Sequence, residues 1–117
     1  MEKRNGSAGG KASTVEAEIK RMVKRIVAGF QPNQIILFGS HARGNAGPDS
    51  DVDLLVVMPV EGSKHEKQLE VRMALGRLTI PVDIILSRPE DFEWRKDYVG
   101  TIEHPAWREG RVLYTAR

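Results

Sequence analysis

The chain has 117 residues, 40% of them hydrophobic and 29% charged, with 18 Lys plus Arg against 16 Asp plus Glu and no cysteine. This is the composition of one globular domain with a single core, and it excludes a disulfide framework, a thiolate metal site and cysteine nucleophile chemistry. A net charge of +2 provides no electrostatic ground for a nucleic-acid or membrane-surface binder, and no apolar run approaches the roughly 20 residues of a membrane span.

Residues 1–12 are Gly, Ser, Ala, Asn and charge, a composition that buries little and is expected to form a flexible tail ahead of a domain over 13–117. No apolar segment follows the basic residues at the start, so a cytoplasmic location is expected. Ser13 and Glu16 have capping-box spacing, and Val15, Ile19, Met22, Val23, Ile26 and Val27 recur at three and four residues, which predicts an amphipathic helix ending near Gly29. Ile35 to Phe38 reads as a short buried strand. Gly39 to Ser50, with Gly44, Gly47, Pro48 and Asp49, reads as a loop holding one helical turn.

A second strand is expected over Asp51 to Met58, stopped by Pro59, and a second helix over 63–78, started by Ser63 and Glu66. Val82 to Leu86 is a third strand. Pro89 opens another helix, a polar segment carries Trp94 and Tyr98, and Arg111 to Thr115 closes as a strand. Alternating helices and strands without repeats indicate an α/β arrangement, a small sheet packed against helices.

The chemistry concentrates in Phe38-Gly39-Ser40-His41-Ala42-Arg43-Gly44 and Ser50-Asp51-Val52-Asp53-Leu54-Leu55-Val56. Two residues apart on a strand, the Asp51 and Asp53 carboxylates share a face with Cβ atoms about 6 to 7 Å apart. Like charges so placed repel unless a cation joins them. Oxygen ligands without cysteine favour Mg²⁺ or Mn²⁺, which commonly bind phosphate oxygens as well. A bare Asp-x-Asp more often marks the exposed start of a strand, but here a Gly-Ser turn precedes it. Gly39 lets backbone N–H groups approach an anion, and Ser40 adds a hydroxyl. Asp83, inside an apolar strand, either joins the pair as a third carboxylate or forms an ion pair at a sheet edge. Arg43 is either a phosphate contact or a solvated loop residue. Trp94, Tyr98 and Trp107 either pack in the core or face a partner.

Gly39-Ser40, ten intervening residues, Asp51-Val52-Asp53 and the later Asp83 together resemble the DNA polymerase beta-like nucleotidyltransferase superfamily. The strings around them look like its smallest branch, the minimal nucleotidyltransferases or MntA-like antitoxins. The resemblance implies a palm-like nucleotidyltransferase fold and AMP transfer from ATP using two Mg²⁺ ions, or Mn²⁺. Asp51, Asp53 and Asp83 would be the catalytic and metal-holding residues, and Gly39, Ser40 and Arg43 would bind the nucleotide. In that branch the acceptor is a tyrosine of a HEPN-domain toxin. Two alternatives stay open, a non-catalytic antitoxin that inhibits by binding and a transferase acting on a small molecule or an RNA end.

Overall fold

The computed structural model describes residues 6–47 and 49–116, with side chains inside α1 described from Val15 onward. Residues 1–5 of the expected tail, and Pro48 of the loop, lie outside the described residues. The order is α1 (Gly6–Phe30), β1 (Gln34–Phe38), α2 (Ser40–Arg43), β2 (Val52–Val57), α3 (Lys64–Ala74), β3 (Val82–Ser87), α4 (Pro89–Arg95), α5 (Glu103–Glu109) and β4 (Arg111–Thr115). No described helix is long and apolar enough to cross a membrane.

The four strands form one mixed sheet in the order β3-β2-β1-β4, with β1 antiparallel to β2 and β4 and β2 parallel to β3. The parallel pair follows from the chain between them, because α3 carries the backbone along the sheet before β3 begins. Alternation then sorts the strand residues into two layers. Ile35, Leu37, Val52, Leu54, Val56, Ile84 and Leu86 face α1 and α3, where they meet Ile19, Met22, Ile26, Val71 and Leu75. Ile36, Phe38, Leu55 and Val57 face the other way and meet Phe92 of α4 and Ala106 of α5.

Local signals explain most of the boundaries. Ser63 caps α3, its hydroxyl accepting from the Glu66 N–H at 3.1 Å. The carbonyls at the far end of α3 are taken by α1, since Arg21 donates to Leu75 and Arg77 and Arg25 donates to Ala74. Two boundaries differ from expectation, the start of α1 and the end of α3, which stops at Ala74 rather than 78 because Gly76 takes a left-handed φ of 72°. Backbone helix begins at Gly6, seven residues before Ser13, so Ser13 lies within α1 and part of the expected tail is helical; once later turns are anchored, each residue added upstream gains a bond without a new nucleation cost. At its other end α1 stops at Gln31, which takes a left-handed φ of 45° and donates from its side chain to the Ala28 carbonyl, with Pro32 next.

The helix α5 falls in a stretch to which the sequence reading assigns no element. Its first turn holds Glu103, 2% exposed and wedged between α4 and the sheet. Glu103 accepts from the Ser87 hydroxyl and from Arg95 Nε, each at 2.9 Å. Burial raises its carboxyl, but the hydrogen bonds from Arg95 and Ser87 and the Arg95 charge outweigh it, leaving the carboxyl below its ordinary value. A group depressed in this way stabilises the fold above its unfolded-state titration and loses that contribution as acid titrates the folded carboxylate. Glu103→Gln is therefore expected to cost about 1 to 3 kcal/mol at pH 7. Urea unfolding of both chains should show the gap closing as pH falls toward 3.

Candidate active site

The site lies at the end of the sheet where β1 stops and β2 and β3 start. Phe38 pairs with Asp53, so Gly39 leaves the sheet directly over the Asp53 side chain. Gly39 has φ of 76° and ψ of −158°, and a Cβ there would collide with Asp53 Oδ2. Glycine is thus favoured by a backbone that L side chains rarely adopt, and any larger residue would also push the Asp53 carboxylate aside. The turn that follows is α2, in which Ala42 and Arg43 N–H both bond the Gly39 carbonyl at 3.1 Å. Those bonds do not use the N–H groups of Ser40 and His41, which come first in the turn.

The loop from Gly44 to Ser50 is pinned back onto this turn. The Ser50 hydroxyl accepts from Gly47 N–H at 2.8 Å, and the Ser50 carbonyl lies 3.2 Å from His41 Nε2. Ser50 therefore holds the loop rather than merely ending it, and it delivers Asp51 to the start of β2. Asp51 precedes the strand instead of opening it, because β2 begins at Val52, whose N–H bonds the Pro81 carbonyl at 2.9 Å.

Parallel pairing puts Asp53 opposite Asp83 in register. The same alternation turns both toward the layer that α4 and α5 cover farther along, while here they are left at the open end. Burial, followed by the charges of Asp83 and Asp51, raises the Asp53 carboxyl above its ordinary range, and the charges of His41 and Arg43 partly oppose this. Asp53 thus experiences the charge of both neighbouring aspartates. Among the described residues none of the three forms an ion pair.

Among the described residues no group of three His, Asp or Glu is gathered closely enough to hold a metal ion as it stands. The donor set nonetheless suits a hard divalent cation, since it offers only carboxylate oxygens with a mutual repulsion that such an ion would relieve. Arg43 is exposed beside the turn, 3.8 Å from Glu109, and within electrostatic range of Asp53.

Two hollows flank the site. A cleft of about 450 Å³ lies behind α2, bounded by Val15, Ile19, Leu37, His41, Ser50 and Pro81, and none of the three aspartates lines it. A smaller notch of about 120 Å³ has Asp83 in its wall together with residues of α3. The α3 residues are not singled out by the sequence reading; their helical spacing is legible, but only the packing of α3 along β3 brings them to Asp83. Trp94, Tyr98 and Trp107 are partly exposed, with Trp94 stacked edge-on against Tyr98 and Trp107 against Phe92.

A glycine-serine turn thus closes over the Asp53 carboxylate at the end of a mixed sheet. Residues 17–105 match the nucleotidyltransferase domain family, and the chain belongs to that family. A proposed protein adenylyltransferase of Methanocaldococcus jannaschii is 38% identical over 55 residues, which is 47% of this chain and 54% of that protein. The chain thus aligns with about half the length of this curated relative. The fold is shared with a proposed nucleotidyltransferase from Sulfolobus solfataricus (TM-score 0.63, 17% identity, 98% of this chain and 92% of that one). It is also shared with a chain of a toxin-antitoxin crystallised with AMP-PNP (TM-score 0.62, 17% identity, 84% of this chain and 73% of that one).

Two outcomes follow from the Gly39–Asp53 contact. Gly39→Ala should cost about 1 to 3 kcal/mol from backbone strain alone, read as a lower urea midpoint. A carboxyl raised in the folded state disfavours folding at neutral pH, and the penalty fades as pH falls and the folded group takes up its proton. With EDTA present, Asp53→Asn should accordingly unfold at a higher temperature than the unaltered chain at pH 7, by a margin that narrows in acid.

Proposed function

We propose that this chain transfers AMP from ATP to a hydroxyl of a partner protein. The single observation that carries the reading is the placement of Asp53 under the Gly39 turn and beside Asp83. In this reading Gly39 and Ser40 receive the phosphates through backbone N–H groups and a hydroxyl, and Arg43 swings from Glu109 to the triphosphate. Asp51, Asp53 and Asp83 would hold two divalent ions, Mg²⁺ or Mn²⁺. When bound, such ions neutralise charge on the entering and leaving oxygens of an in-line displacement.

The residues of the chain then position and deprotonate. The acceptor oxygen forms a bond to the α-phosphorus, the bond from that phosphorus to the β-bridging oxygen breaks, and pyrophosphate leaves. The acceptor proton passes to Asp83, which stands exposed on the edge strand. Support for a protein acceptor comes from the name of the archaeal relative, and support for a toxin-antitoxin role from the neighbour bound to AMP-PNP. We assign the acceptor to a tyrosine of a HEPN-domain toxin on the family resemblance, acting in the cytoplasm where ATP is supplied.

Incubation of the chain and its co-expressed partner with α-³²P-labelled ATP and Mg²⁺ is the direct experiment. Label should appear on the partner, and Asp51→Asn with Asp53→Asn should reduce it at least a thousandfold while circular dichroism is unchanged. Label on RNA or on a small molecule, with none on protein, would replace the protein acceptor. Equal growth rescue by the double variant and the unaltered chain would instead identify inhibition by binding.

A further inference from the structure

Two of the three acids are fixed by the sheet and the third is not. Asp53 and Asp83 lie inside the β2–β3 ladder, opposite each other in register, whereas Asp51 is exposed and stands one residue ahead of β2. The chain reaches Asp51 through a loop that closes on itself twice. Asn45 N–H bonds the Ser40 carbonyl at 3.1 Å and finishes α2. Gly47 and Ser50 then tie to each other, Ser50 N–H to the Gly47 carbonyl at 3.2 Å and Gly47 N–H to the Ser50 hydroxyl at 2.8 Å. Residues 43–47 and Asp49 are exposed, so hydrogen bonds rather than burial hold this loop.

Among the described residues, His41 supplies the bond that joins the second closure to α2. Its Nε2 lies 3.2 Å from the Ser50 carbonyl, nine residues along the chain. A carbonyl oxygen only accepts, so Nε2 is the ring nitrogen that carries the proton. That carbonyl belongs to the peptide unit joining Ser50 to Asp51. The following unit, which joins Asp51 to Val52, is held by the bond from Val52 N–H to the Pro81 carbonyl at 2.9 Å. Peptide units are planar, so pinning both leaves little freedom in the one φ and one ψ between them, and the direction of the Asp51 side chain follows. His41 has a firm base for this, since Gly39 before it sits against Asp53 and Ala42 after it packs on the core beneath α1. His41 and Pro81 also line the cleft behind α2, so a different side chain at 41 alters a space already open rather than a packed core.

We propose that His41 is a positioning residue that sets Asp51 beside Asp53 to share a divalent cation, a deepening that rests on the transfer reading above. It touches neither nucleotide nor ion and acts through the Ser50–Asp51 peptide. Two carboxylates capture a cation tightly when both are placed before it arrives, because ordering a loose one at that moment costs conformational entropy. The sheet places Asp53, and the grip on the Ser50 carbonyl does the same for an acid that the ladder does not reach. A side chain without a donor at this point leaves the first peptide plane free to turn, and Asp51 then spends part of its time directed away from Asp53.

The test compares the full chain with His41→Leu, which removes the donor, and His41→Gln, which puts an amide N–H where the imidazole has one. Titration with Mn²⁺ followed by electron paramagnetic resonance, at neutral pH and without nucleotide, should show His41→Leu binding about 10- to 100-fold more weakly. His41→Gln should bind as the unaltered chain does. In ¹⁵N relaxation without metal, the Asp51 amide, whose N–H belongs to the gripped peptide, should fall to an order parameter below about 0.6 in His41→Leu while the Asp53 amide stays rigid. Should His41→Leu lower the urea midpoint, His41→Asn, whose amide is too short to reach the carbonyl, takes its place in both measurements. Unchanged Mn²⁺ affinity without the donor, an Asp51 amide as rigid as before, or Gln no better than Leu overturns the proposal and leaves the reaction standing. Mn²⁺ binding without AMP transfer removes the reaction and leaves His41 to the metal titration. If the unaltered chain binds no Mn²⁺, the transfer reading and this role of His41 fall together.

Discussion

The absence of one methyl-sized group decides the geometry of this site. Gly39 passes over β2 so closely that a Cβ would press on one oxygen of the Asp53 carboxylate, and its φ lies where side-chain-bearing residues are strained. The turn can therefore form directly at the end of a buried strand, with its first N–H groups beside an acid rather than several residues away. The antiparallel pairing of Phe38 with Asp53 sets this approach, so the sheet register and the site are one constraint.

The sheet layer that carries the site treats its acids in two opposite ways. At one end Glu103 is buried but answered by Ser87 and Arg95, and its carboxyl is held down. At the other, burial and two neighbouring aspartates hold the Asp53 carboxyl up. The first arrangement stabilises the domain, and the second costs stability until something positive arrives. A small domain can tolerate the second because the apolar layer under α1 and α3 is continuous and independent of the open end.

The helix α3 links these parts. It supplies the crossover that makes β2 and β3 parallel, so that Asp83 stands opposite Asp53 rather than on another face. The same helix ties itself to the outer edge of β3 through Gln68 and Arg72, which occupies part of an otherwise exposed strand edge.

Wherever a signal is local, it was legible in the amino-acid sequence. The Ser63 cap, the apolar strands, the glycine turn and the two-residue spacing of Asp51 and Asp53 each depend on neighbours within a few positions, and β4 falls at Arg111 to Thr115 as read. The helix α5 escaped because the residue directly before it is Ile102, which has no capping group; the hydroxyl that accepts from its first turn, at the His104 N–H, belongs to Thr101 one residue further back. The start of α1 was misjudged because propagation from an anchored helix overrode a plausible cap. The pairing of Asp83 with Asp53, the close approach of Gly39 to Asp53 and the packing of α3 along β3 join positions far apart in the chain. No periodicity records such distances, so only the packed sheet could decide them.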